Sequence, residues 1–562
     1  MQGNIQIFDV DHPLEKPFDW HTDWRFGHKW NNRYFKEYSF YEKEKEKEYD
    51  VKFPWELSRM SFLIPVARHY LLENKKERLD YVHDVLYDWK KNNPLANSVN
   101  WYPMEVSVRS INLVQLREIL LLREEAAQTV DLLNEILILH GVFLWRNIEF
   151  TDVRGNHYSA NLTALLLLGN IFNGFYGEAN RWKKYALAKI EKEFHLQFIG
   201  DGVNFEKSTS YHRLVVEFFL ICFLVMQRMG IEINLETKEV FKNACMFIKD
   251  IAKPNLQAPI IGDNDSASVF LNECISLNNH ATLLQLASLL LKEPTLNIDT
   301  ETYISAVELF GLKEGHKFSG LLGFNKKVFV YPRGGFCIVK DEKNYFITDV
   351  GEVGMKGRGG HGHNDLYSFE LMLNGRDIIV DPGCYTYTGD LKLKNEMKSS
   401  RYHNILTVDD EEIAPMVGDW GIADIARPLE VEIKQKDTET VISGKHEGYM
   451  RLQDPVRCQR IFSLAMDSFR LSCIDKVKCN SGHKVTRHLH LGENVDVEIM
   501  GEEVIVKSGD FTSTITFDQF STVKAGQYQL SYNYGHGTVS KKLVLESKIK
   551  GDSELFFNIK SV

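Results

Sequence analysis

The chain holds eight cysteines in 562 residues and no CxxC pair. That is too sparse for a disulfide framework, so the cysteines read as buried thiols. It also lacks an apolar run that could cross a bilayer, which needs about 20 residues. The longest run, near Leu214–Met226, is broken by Glu217. The first residues, MQGNIQIFDVDHPLEKPFDW, have no basic start followed by an apolar stretch. No signal peptide is therefore expected, and the compartment stays open: cytoplasmic as written, periplasmic or secreted if a leader is missing. Surplus positive charge is absent as well. A net charge of −10 argues against nucleic acid or an anionic membrane as the main partner, while leaving room for a basic cleft facing an acidic substrate.

What is present is ordinary for a globular protein: 44% hydrophobic and 26% charged residues. The length predicts two or three domains. From Pro54 to about Leu312 the apolar residues recur at three- and four-residue spacing, as in WELSRMSFLIPVARHYLL, VSVRSINLVQLREILLL, LLNEILILHGVFLW and VEFFLICFLVMQRMG. About ten such segments in series predict stacked antiparallel helical hairpins. After Lys313 the period changes to alternation, in KVFVYPRGGFCIVKD, NYFITDVG, DLYSFELMLNGRDIIVD, LEVEIKQKDTETVISG and HKVTRHLHL. Asn374-Gly375 between two apolar runs predicts a tight hairpin. An all-helical half thus precedes an all-antiparallel-β half, with the boundary near 313–326. The charged stretch KEYSFYEKEKEKEYD at 36–50 reads as a solvated helix or linker.

The richest chemistry lies between Gly357 and Asn404, where His361, His363, Asp381 and His403 fall on expected loops and strand ends. Imidazole with carboxylate is the ligand set of zinc-like ions; scattered, hydrogen-bonded loop residues are the plain alternative. The glycines at 357–362 superficially resemble a phosphate-cradling loop, but no lysine and helix follow. In the helical half, Asn100-Trp101-Tyr102 precedes Glu105 and Arg109, an i, i+4 pair that serves either a sugar or a helix salt bridge. Asn156, after Arg154-Gly155, either caps a helix or faces an anion. Glu206 to Arg213 enters another apolar helix, where Tyr211 is either a core tyrosine or a cleft residue. His483, His488 and His490 read as sandwich residues.

Taken together, Asn156-His157, Tyr211-His212, GGHGHND, DPGCYTY and RYHN resemble the heparinase II/III family of polysaccharide lyases. The resemblance runs in order through FPWELSRM, NWYPMEVSVRSINL and IGDNDS. It implies an N-terminal (α/α) toroid followed by a C-terminal antiparallel β-sandwich, a multidomain α+β fold. The expected divisions are an N-terminal extension at 1–50 packed on the helices, a toroid at 51–315 and a sandwich at 320–562. The implied reaction is β-elimination on a uronic-acid-containing polysaccharide, which requires neutralising the carboxylate, removing the C5 proton and protonating the leaving oxygen.

By position, Asn156 resembles the residue that contacts the uronate carboxylate, with His361 assisting. Tyr211 resembles the catalytic acid, also a candidate base, and His157 the base for the opposite face. His363, Asp381 and His403 resemble the ligands of a structural Zn2+ ion that orients the cleft wall. Trp101, Glu105, Glu206, Arg213 and Arg358 are expected substrate contacts, with surface salt bridges the alternative for the two arginines. An acidic polysaccharide is the expected partner, and a homodimer is among the expected assemblies. The rival readings are a glycoside hydrolase on an (α/α) toroid and a non-catalytic polysaccharide-binding or assembly protein.

Overall fold

The computed structural model describes residues 4–13, 17–41, 47–270, 275–312, 318 and 327–562. Among these, twelve α-helices precede residue 311: α1 (Lys52–Ser58), α2 (Leu63–Glu73), α3 (Lys76–Asn92), α4 (Pro103–Leu120), α5 (Ala127–Arg146), α6 (Asn156–Ile171), α7 (Ala179–Leu187), α8 (Ile190–Gln197), α9 (Thr209–Arg228), α10 (Leu235–Ile251), α11 (Ala281–Leu291) and α12 (Ile304–Phe310). The run WELSRMSFLIPVARHYLL is two helices rather than one, because the chain turns at Met60 with φ +54°.

Helices α4, α6 and α9 lie side by side. Each is buried nearly all round, as inner helices packed on every side are. That burial accounts for α9, which is long and apolar enough to cross a membrane but is 89% buried here. Outer helices such as α3, α7 and α10 bury one stripe only. The helices form the expected toroid, and the N-terminal residues Ile7, Phe18, Trp20 and Phe35 join its core.

The expected domain boundary falls almost wholly outside the described residues. Beyond it lies a five-stranded antiparallel meander, Lys327–Tyr331, Phe336–Lys340, Tyr345–Asp349, Phe369–Leu373 and Arg376–Ile379. Asn374 (φ +49°) and Gly375 (φ +76°) make its last turn, and Leu373 pairs with Arg376. Both central positions are left-handed, as a two-residue hairpin loop matched to strand twist requires. One face of this sheet, with Phe336, Ile338, Tyr345 and Ile347, packs on Phe247, Ile251 and Ile261 of the helical half. The other, with Cys337, Val339, Phe346 and Leu371, enters the sandwich core. An eight-stranded and a four-stranded antiparallel sheet complete the sandwich. His483, His488 and His490 sit on its strand Gly482–His490, as the alternation predicts.

The loop before a short helix, α13 (Leu391–Met397), leaves the sandwich and packs against α4, α6 and α9. There Tyr387, Cys384 and Tyr534 share one apolar cluster with Met104, Val108, Ala160, Leu214 and Tyr211. The loops flanking this contact carry the candidate site.

Candidate active site

The site begins at the start of α6. Gly155 is the N-cap, with no side chain to offer, so of the two readings of Asn156 the capping one does not occur. A buried carboxylate does the work instead. Glu206 accepts from the Asn156 backbone N–H at 2.7 Å and from its Nδ2 at 2.8 Å. An anion at a helix N-terminus is stabilised by the unpaired amides and the helix dipole. A Cβ at position 155 would sit 2.9 Å from Glu206 Oε1, so a larger residue there would have to displace that carboxylate. The carboxylate fixes the Asn156 amide with Nδ2 toward the cleft, 3.5 Å from His361 Nε2.

Tyr211 enters on the first turn of α9, whose N-cap Ser208 accepts from the Tyr211 N–H at 3.1 Å. Its ring lies flat on His361, with centroids 3.8 Å apart and planes 14° from parallel. Its hydroxyl is 3.1 Å from that of Tyr387. Burial, reinforced by Asp265, holds the phenol well above its ordinary pKa despite the Tyr387 hydrogen bond. Tyr211 therefore rests as a proton donor.

Asp263 organises the histidines. One oxygen is 3.0 Å from His361 Nδ1 and the other 3.0 Å from His363 Nε2. Its own N–H donates to the His361 carbonyl at 2.9 Å. Burial would raise its pKa, but the Lys398 ammonium and the two histidine hydrogen bonds outweigh that and hold it well below the usual carboxylate range. Gly262 before it has φ +74°, and a Cβ there would meet the His361 and Lys207 carbonyls at 2.7 and 2.8 Å. Only glycine lets these two segments approach so closely. Lys398 pins the glycine-rich loop by donating to the carbonyls of Gly359, Gly360 and Trp420 at 2.9, 2.7 and 2.8 Å.

His157 stands one residue beyond Asn156, its Nδ1 2.9 Å from Glu149 Oε1 and its ring edge-on to Tyr102 at 6.0 Å. Burial would depress its pKa, yet the Glu149 carboxylate prevails and lifts it to about 8. With 41% of the side chain exposed, water screens part of this effect.

Behind His361, His363, Asp381 and His403 place one ligand atom each within 4.8 Å of one another. The His403 Nδ1–H donates to Asp381 at 2.9 Å. His363 Nδ1 and His403 Nε2 are buried without a partner. Two orphaned imidazole nitrogens beside a carboxylate are a group that could hold a metal ion. The Asp263 hydrogen bond to the far nitrogen of His363 is the support such ligands usually have.

The structure thus brings Asn156, Tyr211 and His361 together, with His157 beside Asn156 on α6. Four expected substrate contacts are corrected. Trp101 is only 1% exposed, packed among Trp89, His140 and Phe143. Glu105 is buried in a two-pronged ion pair with Arg59 at 2.7 and 2.9 Å, while Arg109 lies over Trp89 at 4.4 Å. Arg213 is buried against Glu217 at 2.7 Å. Glu206 belongs to the site but is spent on Asn156. Arg358 is exposed, and it pairs with Asp152 at 3.2 Å in the loop before α6. Sequence reading missed Asp263, Glu149, Tyr387 and Trp420. Asp263 and Tyr387 lie inside motifs that stood out, IGDNDS and DPGCYTY, whereas nothing local marks Glu149.

Comparison with known proteins gives a consistent picture. The family described as "Heparinase II/III N-terminus" matches residues 12–283, and "Heparinase II/III-like, C-terminal" matches residues 325–555. A heparin-sulfate lyase of Pedobacter heparinus is 23% identical over 65% of this chain and 53% of the relative. One of Bacteroides stercoris is 22% identical over 65% and 55%. The chain thus spans about half the length of the curated relatives it matches. Among solved structures, heparinase III superposes with a TM-score of 0.72 at 16% identity, covering 93% of this chain and 80% of that one.

Proposed function

Since the chain belongs to the heparinase II/III family, we propose that it is a carbon–oxygen lyase cleaving a uronic-acid-containing glycosaminoglycan by β-elimination. The observation that carries this reading is the convergence of Tyr211, stacked on His361 at 3.8 Å, with the Asn156 amide on the same His361. The first and last come from the toroid and the second from the sandwich, so the groups meet only in the folded whole.

The chemistry follows from what each group can hold. The substrate carboxylate is met by the second Nδ2–H of Asn156, beside His361, whose Nδ1–H is held by Asp263. The Asn156 hydrogen bond strengthens as charge moves onto the carboxylate when the C5 proton leaves. Tyr211 keeps its proton until the C4–O bond breaks and gives it to the departing oxygen, leaving a C4=C5 double bond. Tyr387, 3.1 Å from Tyr211, can then donate to the phenolate. His157 is the base we assign, because it loses its proton near pH 8 whereas Tyr211 does not.

His363, Asp381 and His403 would hold the ion, which we assign as Zn2+ on the two-imidazole, one-carboxylate donor set. When bound it supplies fixed positive charge and rigidity behind the cleft wall. Hydrolysis would need two carboxylates flanking the scissile bond. Here Glu206 and Asp263 are buried and already bonded to Asn156, His361 and His363, which disfavours that rival.

Incubation with heparan sulfate, hyaluronan and alginate tests the proposal, read by ultraviolet absorbance of the unsaturated uronate. New reducing ends without that absorbance would mean hydrolysis and end the proposal. Tyr211→Phe should lower kcat by about 10²–10⁴-fold, the usual contribution of a positioned acid.

A further inference from the structure

At Phe40 and Tyr41 the N-terminal segment lies beside the catalytic groups. Phe40 is wedged edge-on between Trp55 at 5.0 Å and Tyr102 at 6.3 Å, which anchors the segment to the helical half beside His157. The next residue, Tyr41, reaches across to the sandwich and meets Trp420 edge-on at 5.6 Å. Tyr41 is 40% exposed as a residue. Burial, with Asp50, Asp263 and Asp419 nearby, pushes that phenol up to about 12, while Trp420 hydrogen-bonding opposes the rise.

Trp420 is a fixed partner. Its indole lies over the Lys394 ammonium at 3.4 Å, and its carbonyl is held by Lys398 at 2.8 Å. Its edges meet Tyr387 at 5.1 Å and His361 at 5.8 Å. A cation beneath one indole face and a hydrogen-bonded backbone leave this ring little freedom to swing aside. The contact between the two domains therefore lies one side chain from the stacked Tyr211–His361 pair. A second bridge, Arg358 to Asp152, crosses from the sandwich to the loop before α6.

Building on the lyase reading above, we propose that Tyr41 and Trp420 form an end wall across the cleft, so that the enzyme takes chain ends and releases short unsaturated products one at a time. A polymer running through the site would have to pass between two rings already in contact. A chain terminus needs only to abut them, and aromatic faces suit the apolar face of a sugar ring. Tyr41 and Trp420 are thus specificity-determining residues, and the N-terminal segment is part of the site.

The test is size-exclusion chromatography of heparan sulfate, hyaluronan and alginate at low conversion, followed by ultraviolet absorbance. The wild type should release the smallest unsaturated fragments while the polymer peak keeps its position. An early ladder of intermediate lengths would overturn the end wall and leave the lyase reading standing. No unsaturated product from any polymer would overturn both. In Tyr41→Ala and Trp420→Ala, with folding checked by circular dichroism, intermediate lengths should appear. KM for short oligosaccharides should rise about tenfold, the low end of what a lost pocket contact costs. Tyr41 is partly exposed, so its truncation keeps the test valid even if Trp420→Ala fails to fold. An unchanged product pattern in Tyr41→Ala would refute the assignment.

Discussion

Replacing Asp263 is the most incisive perturbation, because one carboxylate holds a histidine of the cleft and a histidine of the metal-competent group. Both hydrogen bonds are 3.0 Å long and His363 is fully enclosed. In Asp263→Ala two imidazole N–H groups lose their acceptors. Leaving a buried donor unsatisfied costs about 1–3 kcal/mol, so the pair is worth about 2–6 kcal/mol. The Lys398 ammonium, buried nearby, loses its strongest opposing charge as well. Asp263→Asn keeps the volume but offers one acceptor oxygen for two donors, so one histidine must turn or change tautomer. Outer-shell partners of this kind are worth about 10–100-fold in activity or metal affinity. The expected result is a kcat loss of about that size in Asp263→Asn with KM little changed, and a larger fall in melting temperature for the alanine variant. Steady-state kinetics, thermal unfolding and metal analysis of the two purified variants read this directly. Wild-type kcat and metal content in Asp263→Asn would show that the bridge positions nothing, and the reasoning would fail.

Three further outcomes follow from the same geometry. His157 has a raised pKa, so its neutral, proton-accepting form grows as pH rises through about 8; kcat/KM should climb through that pH. Glu149→Gln should move the climb toward the ordinary imidazole value near 6.5, and an unmoved profile would exclude His157 as base. His363→Ala should lose bound metal by elemental analysis, whereas metal content equal to wild type would remove the proposed ligand set. Arg358→Ala should change thermal stability by less than about 1 kcal/mol, as exposed ion pairs do, and a drop of several degrees would show that the rim bridge is structural.

The periodicity of the sequence exposed a helical half and an antiparallel-β half, because burial is one-sided in most elements and all-round in α4, α6 and α9; the toroid was implied by the family resemblance alone. Periodicity hid the break at Met60, since the apolar stripe continues in register across a turn that only φ +54° reveals. It also suggested a strand in DLYSF, where Tyr367 instead takes φ +63° and the strand begins at Phe369. Motif chemistry singled out the histidines between 357 and 404 because few neighbours compete with them for meaning, whereas Tyr211 was singled out only through the family resemblance. Motif chemistry failed for Trp101 and Glu105: an aromatic beside a carboxylate looks like a sugar platform. Arg59, 46 residues earlier, claims Glu105. Asp263 was invisible as a pivot for the same reason, its two partners lying 98 and 100 residues away.

Distant pairing of buried charges also explains how two separately patterned halves hold one site in register. The Lys253 ammonium lies 2.7 Å from Glu370 and 2.9 Å from Asp377 of the meander. Lys207, at the entry to α9, donates to the Gly334 carbonyl of the sandwich. Asp50 of the N-terminal segment accepts from Tyr534 at 2.6 Å and from Thr386 and Thr388 at 3.2 and 2.7 Å. Such buried polar contacts add little net stability over apolar packing, because desolvation offsets much of the attraction. Their geometry is exacting, however, and a shift of one half against the other would leave a charge or hydroxyl buried without a partner. The apolar cluster around Leu214 and Cys384 tolerates small slides; these contacts do not. Docking is therefore driven by burial and registered by charge, and the stacking of Tyr211 on His361 inherits that register.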